Sequence, residues 1–174
     1  MISTGALSVS DVLAGQPALA GRTVEADELL VPIVSPPLPR EIALGLELIL
    51  EGFLLHHGRP RHVDNVPIGA AVLAGDYCYA QGLVRIAATG DLAMVEALGD
   101  LVALSAVAMA VGRPEDLTPL WRVTAAALAA ESGPGTAAAV QGVRAALREG
   151  VPGPIHEMAA GLPPVPGLEE ALAR

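Results

Sequence analysis

The chain has no lysine. All ten of its cationic side chains are arginines, set against nineteen carboxylates for a formal net charge of −9. An acidic chain with no basic patch and no run of stacking aromatics is poorly built to follow a phosphate backbone, so nucleic acid is not an expected partner. Aromatics are almost missing: Phe53, Tyr77, Tyr79 and Trp121 are the whole set. A single cysteine, Cys78, excludes an intrachain disulfide framework and a cysteine-based zinc site. It follows Gly75 in an apolar run and reads as a small buried hydrophobe, compatible with the cytoplasmic location expected here. β-branched clusters bounded by turn residues are scarce, which argues against sheet. A basic segment leading into an apolar stretch is missing from the first residues, so no secretory leader is expected. The longest apolar run, Leu101 to Gly112, falls short of the roughly 20 residues a bilayer requires, so no membrane span is expected either.

Alanine and leucine fill the space these absences leave. Apolar residues make up 52% of the 174, enough for one domain of closely packed helices with small side chains between them. The expected fold class is all-α. Three segments are expected: a weakly structured stretch over residues 1–39, a helical domain over 40–150, and a Pro/Gly-rich tail over 151–174 with a short terminal helix.

In the first segment, Ser10-Asp11 offers a cap for a short helix and Glu25 to Leu30 the makings of another. VPIVSPPLP, Val31 to Pro39, reads as an extended connector, because proline lacks the amide donor and restricts the residue before it. A helix is then predicted over Arg40 to His57, with Ile42, Leu46, Ile49 and Phe53 as its apolar stripe and Glu47 and Glu51 four apart on one face. Gly58-Arg59-Pro60 stops it. Asp64-Asn65 can cap a second helix over about Pro67 to Ala88, and Gly69, Ala70, Ala71, Ala74 and Gly75 give it a smooth side. Thr89-Gly90 ends that helix and Asp91 caps the next. Leu92 to Val111 is nearly all apolar and is expected to be buried on most sides, in a core or at a subunit interface through residues such as Leu101 and Leu104. A fourth helix starts at Thr118-Pro119 and stops at Ser132 to Gly135. A fifth is capped by Thr136 and ends at Gly150, with Arg144 and Arg148 complementing the helix dipole in its last turns. Leu168 to Leu172 completes the set.

The run GAAVLAGDYCYAQGL, with Gly69, Ala71, Val72, Leu73, Ala74, Gly75, Asp76, Tyr77, Ala80 and Leu83 in matching places, resembles the centre of a trans-prenyl diphosphate synthase (the polyprenyl synthetase family). Upstream, Glu47, Leu48, Ile49, Leu54 and Leu55 resemble the family's apolar helix, and Gly58, Arg59, Pro60 and His62 the segment that follows its first aspartate-rich motif. Downstream, Thr124, Ala125, Ala126 and Leu128 resemble a later helix. The similarity spans roughly Glu41 to Val140. The aspartates between the first two segments are missing: LILEGFLLHHGRP carries His56 and His57 there. QGVRAALREGVPGPIHEMAAGLP has none where the second motif would fall, and Val123 stands at the place of a diphosphate-binding lysine.

The resemblance implies a shortened isoprenoid-synthase-like helical bundle. The family ionises an allylic diphosphate with magnesium held by facing aspartates, and magnesium prefers hard oxygen ligands. The implication is therefore a non-catalytic, regulatory subunit that binds an active prenyl diphosphate synthase or a second copy of itself. It has no catalytic residues and no metal or cofactor of its own; magnesium is expected only in an active partner. Two other readings stay open. One is an active prenyl transferase that holds diphosphate with Arg59, Arg61 and Arg122, arginine forks being suited to phosphate. The other is a dimeric helical protein that binds an isoprenoid chain or another lipid, with Tyr77, Tyr79 and Trp121 beside the tail.

Gly75 is expected to permit close helix packing, and Asp76 to be a buried, hydrogen-bonded scaffold carboxylate beside Tyr77. His56, His57, His62 and Asp64 form the only His/Asp cluster. Neighbouring histidines on a helix diverge, so a solvated helix end is expected there rather than a metal site.

Overall fold

The computed structural model describes residues 8–34, 38–129 and 134–173, the side chains of 134–137 lying outside that description. Among the described residues the chain is all-α, as expected. The elements are α1 (Val9–Ala14), α2 (Val31–Val34), α3 (Arg40–His57), α4 (Ile68–Ala87), α5 (Leu92–Ala110), α6 (Leu117–Ala129), α7 (Pro134–Arg148), α8 (Gly153–Ala160) and α9 (Leu168–Leu172), with 3-10 turns at Pro17–Leu19 and Pro114–Asp116. The only extended pairing among them is an isolated antiparallel bridge between Thr23 and Val63.

Helix α3 is the axis of the molecule. Every residue from Ile42 to Leu55 is buried. Ile42, Leu46, Ile49, Leu50, Phe53 and Leu54 face the larger core, which also takes in α5 to α9. Leu44, Leu48 and Leu55 face a smaller one with Val9, Leu13, Leu19 and Cys78. A helix apolar all round must be covered all round, which is why chain is wrapped on both sides of α3.

The α3–α4 contact is the tightest in the fold. A Cβ on Gly82 would lie 2.6 Å from the Gly45 carbonyl, and one on Gly45 would lie 3.0 Å from the Gly82 carbonyl. One turn-pair along, a Cβ on Gly52 would meet the Gly75 carbonyl at 3.0 Å, and one on Gly75 would meet His56 Nε2 at 2.6 Å. The two pairs run in opposite directions along the chain, so the helices are antiparallel and touch backbone to backbone. Contact this close admits no side chain, and Cα–H groups of one helix face carbonyls of the other. Gly75 lies at this contact.

Several boundaries differ from those expected, each for a local reason. Ser8, not Ser10-Asp11, caps α1: its hydroxyl accepts from Asp11 N–H, and Asp11 accepts from Ser8 N–H, closing a capping box. Glu25 to Leu30 is not helical, because the Leu29 and Leu30 amides bond to Glu47 instead of to a helix turn. Val31–Val34 is a helical turn rather than extended, with Pro32 near its start, where a missing amide costs nothing. The following 35–37 lie outside the described residues. Pro67 is the N-cap of α4, and Asn65 instead takes a left-handed φ of 52° in the turn before it. Asp91 caps α5 as predicted, accepting from Met94 N–H at 3.0 Å. Helix α6 begins at Leu117, on the preceding 3-10 turn. Of the stop expected at Ser132 to Gly135, positions 132–133 lie outside the described residues; α7 starts at Pro134, upstream of the Thr136 cap.

Two differences are larger. The tail holds a helix the prolines concealed, α8, with Pro152 at its N-cap and Pro154 in its first turn. Its Ile155 and Ala159 enter the main core. Helix α5 is not buried on most sides. Ala97, Leu98, Leu101, Leu104 and Ala108 pack inward, while Leu92 and Val111 stand at the surface. Leu101 and Leu104 therefore belong to the chain's own core. At 19 residues, α5 is the one described helix long and apolar enough by composition to cross a bilayer, longer than the Leu101 to Gly112 run suggests; a third of it is buried inside the fold.

Candidate functional site

Two glutamates four apart on α3 organise the end of the molecule where α3 turns back into α4. Both are 1% exposed. Glu47 accepts from the Leu29 amide at 2.8 Å and the Leu30 amide at 2.7 Å, and the Arg61 guanidinium lies 3.5 Å away. Glu51 accepts from the Arg61 amide at 2.9 Å and the His62 amide at 2.9 Å. The pair staples two loops, 29–30 and 61–62, to the central helix. Burial raises both carboxyls above their ordinary range, Glu51 to about 7, against the pull of these amides and of Arg61. Every oxygen is answered by backbone donors, and the acids are thereby committed to structure.

That commitment decides the fate of Arg61. Its backbone amide serves Glu51, one guanidinium nitrogen faces Glu47, and another donates to the Asp27 carbonyl. Arg59 is exposed nearby and lines, with Arg61, Leu29 and Glu170, a shallow cleft. Arg122 sits elsewhere, on α6. Its guanidinium donates to the Leu162 and Pro163 carbonyls, and it lines a separate cleft with Thr118, His156 and Glu169. The two clefts share no lining residue, so the structure brings Arg59 and Arg61 together and leaves Arg122 apart.

The histidines separate as well. His56 Nε2 lies 3.1 Å from Asp76 Oδ1, and its ring stacks on Tyr79 with centroids 5.3 Å apart. Asp76 is 64% exposed by side chain, so it stands at the surface rather than in the core expected for it. The reason is its place on α4, about 100° around the helix from Gly75, at the edge of the α3 contact where its carboxylate meets solvent. Tyr77 is half-buried against the smaller core. His57 packs on Phe53. His62 is not part of a solvated helix end: it is 1% exposed, with neither ring nitrogen bonded, and burial pushes its pKa down to about 4. Cys78 is fully buried, and burial holds its thiol well above the usual range. Trp121 is a core aromatic, its ring 6.0 Å from that of Phe53.

Magnesium, which the resemblance would associate with this end of α3, does not fit the residues present. Glu47 and Glu51 spend their oxygens on amides, and histidine nitrogens stand where hard oxygen ligands are wanted. Among the described residues no three His, Cys, Asp or Glu side chains are grouped to hold a metal ion.

Two further ionic groups join elements distant in the chain. Asp116, 1% exposed, lies 2.7 Å from His156 Nε2 and 3.2 Å from Arg113, tying α8 to the turn before α6. Arg144 of α7, expected to complement the helix dipole, is 2% exposed. It is drawn inward by Thr124, whose hydroxyl accepts from its Nη2 at 3.1 Å. Helical spacing was the available signal: Val140, Val143 and Leu147 are buried on the same stripe.

No protein-family profile matches the chain, and neither a curated protein nor a solved structure matches it.

Proposed function

We propose that the protein is a non-catalytic subunit of polyprenyl-synthase-like descent, a shortened isoprenoid-synthase-like bundle that docks on a full-length prenyl diphosphate synthase and modulates it. One observation supports this above others: α4 and α5 leave several large apolar side chains exposed outside the core. Ile68 is 87% exposed, Leu73 67%, Val84 61% and Leu92 80%. Val72, Val107 and Val111 add to them. Single apolar side chains are ordinary on a surface; the number of large ones gathered on these two helices is what favours an interaction face here. The engagement of Arg61 and Arg122 with protein groups favours this reading over diphosphate chemistry by arginines.

The test mixes the purified chain with the full-length polyprenyl diphosphate synthase of the same genome. A stoichiometric complex by light scattering, with a changed product length, is expected. Leu73→Glu should abolish the complex while leaving the helical circular dichroism intact. Turnover of isopentenyl and allylic diphosphates by the isolated chain with magnesium, or the absence of any complex, overturns the reading.

A further inference from the structure

The two cores on either side of α3 are built from different parts of the chain, and this carries an inference independent of the subunit reading. Residues 8–21, which hold α1 and the 3-10 turn after it, give Val9, Val12, Leu13 and Leu19 to the smaller core. Among the described residues none before Leu29 packs on the larger one. The hydrogen bonds of this segment stay local. Val12 donates to the Ser8 carbonyl, Gln16 to Leu13, Leu19 to Gln16 and Ala20 to Pro17. The side chains of Ser8, Ser10 and Asp11 bond among this group and, from Ser10, to Glu25 at 2.7 Å. None of these bonds reaches α3 or α4, so apolar contact alone holds the segment on them.

Its root is held differently. The Val24 amide donates to the His62 carbonyl and the Asp64 amide to the Arg22 carbonyl, each at 2.9 Å, and the Arg22 guanidinium donates to the Asn65 carbonyl. Buried Glu51 in turn fixes residues 61–62 to α3. Between the anchored root and the apolar contact stands Gly21, in the left-handed region at a φ of 70°, where glycine alone turns freely. A fixed end, a glycine and a length held by a few apolar side chains make a strap. Segments with few buried contacts and no hydrogen bonds to the body open at a lower free energy than the whole chain unfolds.

We propose that residues 8–21 lift off α3 and α4 as one unit while α3 to α9 stay folded, uncovering the apolar face that holds Leu44, Leu48, Ala74 and Cys78. On that side of α3 the smaller core is completed by the strap and Val63. Opening leaves the larger core whole, because no strap side chain belongs to it. It also leaves Glu47 and Glu51 bonded, because they hold 29–30 and 61–62.

Cys78 is the single cysteine and is buried in the smaller core, so its labelling reports the strap. The full chain is treated with excess dithiobis(nitrobenzoate) at urea concentrations below the unfolding transition. Without urea, labelling is expected to run at least about tenfold faster than global unfolding allows. Its rate should rise with urea on a slope less than about half that of equilibrium unfolding, since only a small surface is exposed. Leu13→Ala, which weakens the strap contact, should label at least about tenfold faster than the parent. Leu98→Ala, which weakens the larger core, should lower the urea midpoint yet leave the labelling rate within about twofold. The slope and Leu98→Ala decide the matter should Leu13→Ala fail to fold. Labelling no faster than global unfolding, a slope equal to that of global unfolding, a labelling rate that rises in step with the lost stability of Leu98→Ala, or folded Leu13→Ala labelling no faster than the parent overturns the proposal.

Discussion

Glu47 and Glu51 on α3 and Arg144 on α7 are buried to nearly the same degree, yet their neighbours treat them in opposite ways. Each glutamate receives two backbone amides, and Glu47 has a guanidinium besides. The arginine has one hydroxyl and an unbonded Nε. A buried charge that is fully answered cannot bind anything further without unfolding what it holds. One that is left short keeps an unmet demand for a partner. Burial alone therefore does not tell how well an ionic group is satisfied; the count of bonded atoms does.

The contrast is broken most directly by removing each charge. Glu47→Leu leaves the Leu29 and Leu30 amides and Arg61 without their acceptor, and should cost about 3–5 kcal/mol in urea unfolding. Arg144→Met removes a buried cation that no carboxylate contacts as an ion pair, and should leave stability unchanged or raise it by up to about 3 kcal/mol. Equal losses in the two variants would erase the distinction.

A pH series sharpens it. Glu51 has a folded pKa of about 7 against an ordinary 4.5, so the folded state binds the proton more tightly. Its contribution to stability is full below pH 4.5 and lost as pH rises through 7. Glu51→Gln, whose amide oxygen can still accept from Arg61 and His62, lacks that dependence. It should gain on the parent by up to about 1.4 kcal/mol per pH unit across that window. His62 has the opposite sign: its depressed pKa makes stability fall as pH drops from 6.5 toward 4. A Glu51→Gln difference that is flat with pH, in paired urea titrations, would show the acid to be ionised without penalty.

The smallest effects concern glycine. Gly82→Ala pushes a methyl group to within 2.6 Å of the Gly45 carbonyl and should cost about 1–3 kcal/mol. Gly142→Ala on α7 meets nothing within 4 Å and should stabilise by up to about 1 kcal/mol. Thermal unfolding of the two variants side by side checks both signs.

Legibility in the sequence followed the range of the interaction. The bounds of α3, the Asp91 cap and the small-residue face of α4 were open to reading, because each depends on residues within one or two turns. Helix α8 was concealed by Pro152 and Pro154, which look like breakers until placed in a first turn, where they are harmless. The glutamates of α3 show in the sequence as a pair four apart on one face. The residues around them are apolar on every side, and this was the overlooked sign that they are buried. Arg144 looks like a dipole cation, and only the arrival of Thr124 from α6 draws it inward.

From its residues alone this protein was set to be helical, acidic, poor in sheet and centred on a long apolar helix, since propensity and periodicity act along the chain. Which charges are satisfied, which are left short, and which apolar faces stay uncovered was decided by the tertiary structure. These outcomes depend on groups 17 residues apart, as for Leu30 and Glu47, or 20 apart, as for Thr124 and Arg144. Such groups meet only when the helices pack, and the free energy of a buried charge is set by what it meets there.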